Sequence, residues 1–389
     1  MNHILPRPAS RRPIILAALG AALLLGMVVI FAGVARANTP AASVSVEGII
    51  AADTTWASSL TVTGPVTVTA AATLNIQPGV EVRFLPGTWM RIEGGLNAQG
   101  TQAKQIRMIP DSDLGAPWLG VVVAQPSRDV RLQSVTISRA VVGLAINPAG
   151  ALQPLAGPTR VDIRDSLFDS NTTGILANFA GATNNMTVTL RNNLITNNGT
   201  GAQMLNIANN SKIKLNHNSF VGNGIGLKAT GQGQIRARQQ WWGSANGPRV
   251  GDPLTCLAAP GAGDIVCGPV AYSPWSKRPT GRMILAAGEG AILESALGQS
   301  AASDDDTLPS STGTLTVPVG TFSQSVDLLI SDRTPAELPG AVPGQPTEIG
   351  LEITAANNGQ EIHTFAPGHT LSLTIDYTDA DLAGADPAK

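Results

Sequence analysis

The chain has 389 residues and a formal net charge of −2, with charged residues at only 13%. That is length enough for two or three domains and a sizeable core, while so thin a charge balance argues against a nucleic-acid partner, which needs a clustered basic surface. Aromatics make up 4% against 42 glycines and 27 prolines, so short strands and many turns are predicted in place of long helices.

In chain order, Arg7, Arg11 and Arg12 precede an apolar run over residues 14–34, which ends in Ala35-Arg36-Ala37. A basic start, an apolar middle and an Ala-x-Ala end describe a secretory signal peptide cut after Ala37. The alternative is a retained membrane anchor, because 21 mostly apolar residues could span a bilayer. Both place the rest of the chain outside the cytoplasm, secreted or at the cell surface, with membrane contact only through this segment if it stays uncleaved.

The next stretch, "LTVTGPVTVTAAATLNIQPGVEVRF", alternates apolar and polar residues between turns, the pattern of strands with one face on a core. Val66, Val68, Leu74, Ile76, Val80, Val82 and Phe84 are the expected inward side. Residues 44–60, with Trp56, are the candidate cover for the open edge of the first strands.

From residue 130 the sequence repeats. Val130, Val161, Val188, Ile213 and Ile235 start successive units, spaced by 31, 27, 25 and 22 residues. Two residues on stand Leu132, Ile163, Leu190, Leu215 and Ala237, and seven on stand Ile137, Phe168, Ile195, Phe220 and Trp242. The tenth position carries Asn171, Asn198 and Asn223 in consecutive units, and the thirteenth carries Gly143, Gly174, Gly201 and Gly226. Apolar positions two apart read as one face of a strand, and units of 22 or more residues with Asn/Gly turns describe stacked coils of a parallel β-helix. In such a stack the asparagines form a structural ladder of amides, and positive φ at the turn is the expected reason for the recurring glycine.

The units "DIRDSLFDSNTTGI", "LRNNLITNNGTGA" and "LNHNSFVGNGIGL" resemble those of the right-handed parallel β-helix family that includes pectate lyase-like proteins and many bacterial surface proteins; the resemblance covers residues 45–277. It implies that "WWGSANGP" and "GPVAYSPW" close the stack. Trp242 is the expected cap, pointing inward over the last coil. Pro248, Pro269 and Pro274 would limit further strand pairing. Cys256 and Cys267 form the expected disulfide in an oxidising compartment; their spacing suits neither a zinc site nor a redox pair.

Residues 278–312, with "SAASDDDTLPSSTG", read as a polar linker. Three consecutive aspartates there are a solvated run, because calcium needs alternately spaced oxygens. "TLTVPVG", "SVDLLISD", "TEIGLEITAAN" and "HTLSLTIDYTD" then read as strands of a small β-sandwich over residues 313–389. Four strands fall short of a sandwich, so this module is expected to be truncated or to need a partner. The division is therefore residues 1–37 as signal peptide or anchor, 38–277 as the β-helix with its cap, 278–312 as linker and 313–389 as module.

Catalytic, cofactor and metal motifs are missing from the sequence: it holds no P-loop, GxSxG or HExxH. Asp162, Asp165 and Asp169 fall in one unit, and the next unit carries Thr189, Asn192 and Thr196 there, so no acidic column of the kind paired-carboxylate chemistry needs is formed. His217 shares its column with Asn192 and Asp165 and reads as a turn residue. Arg107, Arg128, Arg131, Arg164, Arg191, Arg236 and Arg238 look scattered. The expectation is an exported, non-catalytic surface scaffold or adhesin-like protein that contacts polysaccharide or cell-wall glycan. A polysaccharide lyase or glycoside hydrolase with its site on a lateral face is the alternative, and a spacer for the C-terminal module is a third reading.

Overall fold

The computed structural model describes residues 44–111, 115–124, 126–147, 159–181, 186–257, 260–297, 311–333, 350–357 and 360–376, all within one compact unit, Val44–Lys389. The export segment, Asp113 and the run Asp304, Asp305 and Asp306 lie outside the described residues. Every described element is a strand or shorter bridge, as the Gly/Pro-rich composition requires.

The N-terminal part winds into seven three-sided coils of a parallel β-helix. The first face stacks Thr54–Trp56, Thr73–Ile76, Gly95–Gln99, Val130–Gln133, Thr159–Arg164, Met186–Arg191 and Lys212–Asn216. The second stacks Glu81–Phe84, Ile106–Pro110, Val135–Ser138, Leu167–Asp169, Leu194–Thr196 and Ser219–Val221. The third stacks Trp89–Ile92, Gly120–Val123, Val142–Ile146, Thr173–Asn178, Thr200–Ile207 and Ile225–Gly231. One long strand, Leu60–Val68, supplies both the second and third faces of the first coil: Leu60 pairs with Val82 and Val66 with Met90. Its outer edge is taken by Val44–Ile50, while Trp56 opens the first face beside Ile76.

Register makes the repeat physical. Val130, Val161, Val188 and Ile213 lie opposite one another on successive strands, as do Leu132, Ile163, Leu190 and Leu215. On the second face Ile137, Phe168, Ile195 and Phe220 do the same, and all four are fully buried. A bridge between Ser219 and Trp241 sets Trp242 over Phe220, their rings stacked at 4.8 Å and 16°. The file therefore runs unbroken into the cap, each large apolar side chain contributing roughly 1.5–3 kcal/mol of burial. Trp275 lies over Gly247 and donates to the Ala245 carbonyl at 3.2 Å. The Cys256–Cys267 disulfide ties the closing loop to Ile265–Cys267, the strand that pairs with Ile225–Gly231.

Asn171, Asn198 and Asn223 pass side-chain hydrogen bonds down the stack at 3.0 and 2.9 Å, and Asp264 ends the ladder by accepting from Asn223 at 2.7 Å. Burial raises the Asp264 carboxyl above its ordinary range against those donated bonds. The glycine column has another cause than positive φ: none of Gly143, Gly174, Gly201 and Gly226 takes that conformation. A Cβ at Gly174 would lie 2.6 Å from the Gly201 carbonyl oxygen and 3.3 Å from the Asn198 amide. The column is kept bare by close stacking against the ladder; the left-handed turns fall at other positions, Ser134, Asp165, Asn192 and His217 at one corner and Arg139, Ser170, Asn197 and Gly222 at the next.

The C-terminal module has two antiparallel sheets: Arg282–Leu285, Val326–Arg333, Gly350–Asn357 and Gln360–Glu361 in one, Ala291–Leu297, Ser311–Val317 and Ser372–Asp376 in the other. They share a core that includes Leu285, Leu293, Leu315, Phe322, Leu328 and Ile330. Residues 278–312, expected as a linker, thus carry two of these strands, and the described residues hold seven strands where four were legible. "RMIL" and "AILESAL" are short and apolar; the first pairs with the distant Val326–Arg333 and the second with Ser311–Val317, beyond the polar run, so neither shows a local strand signal.

Candidate functional site

Two lateral features stand out: one gathers buried polar and charged groups, and the other is an outward, solvent-facing sheet. The first is the corner between the first and second faces. Ser134, Asp165, Asn192 and His217 occupy it with φ of 48, 55, 54 and 50°; mostly short polar side chains, they tolerate this region better than branched apolar ones. Just inside runs a second ladder, Ser166, Asn193, Asn218 and Gln240, with Asn193 donating to Asn218 and Asn218 to Gln240 at 2.9 Å each. Sequence reasoning missed it. The signal was the fifth residue of each unit, polar in four consecutive units.

The module docks on this corner. Arg282, fully buried, donates from Nε to Asp327 Oδ1 at 2.9 Å, from Nη1 to the Asp165 carbonyl at 3.0 Å and from Nη2 to Gln105 Oε1 at 3.0 Å. Ser331 Oγ donates to Asp165 Oδ1 at 2.8 Å and accepts from Asn192 Nδ2 at 3.2 Å. Ser219 and Thr280 exchange hydrogen bonds at 2.8 and 3.0 Å. At Gly281, φ is 68° and a Cβ would sit 2.6 Å from Asn192 Cα, so only glycine lets the strand approach so closely. His217 is buried in the same column. Burial, aided by Arg191, lowers its pKa to about 4, which leaves it neutral near pH 7.

The three aspartates of the fifth coil go to three places. Asp165 is buried under the module. Asp169 faces outward on the second face and accepts from Asn197 at 2.9 Å. Asp162 faces outward on the first face, where burial raises its pKa against the lowering pull of Arg164, Arg191 and Arg131. Trp241 lies on the outward side of the second face and borders a cleft of 460 Å³, opposite Met283 and Ile284 and beside Asp169 and Asn197.

The second feature is the first face itself. Arg131 is in register with Asp162, Thr189 and Lys214; Gln133 with Arg164, Arg191 and Asn216; and Arg160 with Thr187 and Lys212. The stack thus gathers Arg131, Arg164 and Arg191, which look scattered in the sequence, into one outward sheet surface. Arg131 also pairs with Asp129 at 3.0 Å, and Arg164 donates to Gln133 at 2.8 Å. Toward the N-terminal coils the same face is neutral, with Asn97 donating to Asn75 at 3.2 Å. Among the described residues no group of three or more His, Cys, Asp and Glu side chains could hold a metal ion.

Coil stack, ladders and closing tryptophan define an all-β protein built on a parallel β-helix. Residues 87–238, from the last strand of coil two through coil seven to the start of the cap, match the model of a family described as periplasmic copper-binding protein (NosD), in keeping with export. No curated protein and no solved structure gives a match. Among the described residues, no helix is long and apolar enough to cross a membrane.

Proposed function

We propose that this protein is a non-catalytic scaffold of the cell envelope that holds glycan against the first face of its coil stack. One observation carries the reading: that face is a continuous seven-strand surface whose outward columns bear Asn, Gln, Thr and Arg side chains in register. Rows of amides and hydroxyls at the strand spacing of about 4.8 Å offer repeated hydrogen bonds to sugar hydroxyls. The module packs on the corner beside the second face, and the aspartates of coil five diverge, which supports binding over chemistry.

Copper, named by the matching family, finds no donor set among the described residues. Both cysteines are joined in a disulfide. Met90, Met108, Met186 and Met204 are fully buried in the core, and His217 lies in the docked corner. His363 and His369 stand apart, facing Glu361 and the Val319 carbonyl. We therefore place no copper site among the described residues of this chain.

Retention of the full-length exported protein on insoluble cell-envelope glycans, with copper titration in parallel, tests this. The expected result is glycan retention without stoichiometric copper uptake. Tight one-to-one copper binding with no retention on any glycan would overturn the proposal.

A further inference from the structure

The first face changes character along the stack, and the change says what kind of glycan it fits. Coils two and three present Asn75, Asn97 and Gln99 outward. From coil four onward the strands carry Arg131, then Arg160 and Arg164, then Arg191, then Lys212 and Lys214. The run continues into the cap: the strand Ile235–Arg236 packs beside Lys212–Asn216, and both Arg236 and Arg238 are exposed. Of the chain's 25 Lys and Arg, seven thus fall on one face of five consecutive strands and an eighth, Arg238, follows the last of them. Among the described residues Asp129, paired with Arg131, and Asp162, in register with Arg131, bring negative charge to the same face. A molecule of net charge −2 has concentrated positive charge in one place.

We infer that the ligand is a polyanionic glycan, carboxylated or sulfated, lying along the coil axis from Arg131 to Arg238. This inference rests on the glycan-holding function proposed above and deepens it. Each successive strand brings at least one cation to this face, and Arg164 and Arg191 lie in register one strand spacing, about 4.8 Å, apart, which suits a linear polymer bearing repeated charge. Arginine favours such a role, because its planar donors take carboxylate or sulfate oxygens in pairs. The neutral coils at the N-terminal end would continue the contact through hydroxyls, and the charged strands would set the affinity and its salt dependence.

The test is affinity electrophoresis of the full-length exported protein through gels containing alginate, heparin or neutral dextran, alongside flotation with vesicles of anionic phospholipid. One variant combines Arg160→Glu, Lys212→Glu and Arg238→Glu. A control reverses three cations elsewhere, Arg83→Glu, Arg91→Glu and Lys277→Glu, to give the same net charge. Melting of both variants confirms that they fold. The expected result is retardation of the wild type by alginate and heparin, with log affinity falling linearly against log salt. The first variant should lose at least about tenfold in affinity while the control keeps it, since local complementarity outweighs net charge. Retardation by dextran equal to that by alginate would overturn the polyanion inference and leave the glycan function standing. Retardation by no glycan would overturn both. Vesicle binding without retardation by either acidic glycan would make this face a membrane contact and also overturn the inference.

Discussion

The coil stack and the C-terminal module are both all-β, yet they are held together by different rules. In the stack, each residue's principal neighbour is the same position one unit away, so asparagine meets asparagine and phenylalanine meets isoleucine. In the module, antiparallel partners have no such relation, as when Arg282 faces Leu329 across its strand pair. The join between the two obeys neither rule. One buried guanidinium reaches Asp327 in the module and Asp165 and Gln105 in the stack. Repetition makes a stack whose stability is approximately a sum of neighbour terms, whereas the join depends on one network that is fully satisfied or broken.

Substitutions at these places should separate the two rules. The largest effect is expected at the cap: Trp242→Ala removes a fully buried indole stacked on Phe220 and should cost about 4 kcal/mol in denaturant unfolding, with hydrogen exchange rising first in the last coils. Next, Arg282→Met leaves the Asp327 carboxylate without its guanidinium and should cost about 3 kcal/mol. Because the join alone is broken, thermal melting should split into two transitions, with the coil-stack transition unmoved. Asn198→Leu strands the donors of Asn171 and the carbonyl of Phe168 and should cost about 2 kcal/mol, without splitting the transition. The last effect is pH-dependent and is absent at neutral pH. His217 titrates at about 4 in the fold and at about 6.5 when unfolded, so the unfolded state binds more protons between those values. Its contribution is therefore complete above pH 6.5 and is lost as pH falls toward 4, with a slope of no more than about 1.4 kcal/mol per pH unit. His217→Asn, which installs the residue coil six carries at Asn192, should flatten the stability–pH curve by that slope relative to wild type.

The comparison also explains what the sequence made legible. Columns that repeat at fixed offsets, such as Ile137 to Trp242 and the ladder through Asn198, can be read without coordinates because the fold itself is periodic. The glycine column was legible as a pattern but given the wrong cause; nothing local distinguishes a left-handed turn from a site where the next carbonyl comes within 2.6 Å. The basic face stayed hidden because units of 31, 27, 25 and 22 residues spread Arg131, Arg164 and Arg191 irregularly; only the register brings them together. The docked corner was beyond reach, since Gln105 and Arg282 are 177 residues apart and no repeat relates them.

The most direct test is a distance along the stack. Spin labels at Arg131→Cys and Arg236→Cys, one on coil four and one on the strand after coil seven, should lie four strand spacings apart. Pulsed dipolar spectroscopy should then give one population centred near about 20 Å. A broad distribution, or one centred beyond about 35 Å, would mean that these units do not stack in register, and the shared face, the ladders and the cap would all have to be abandoned.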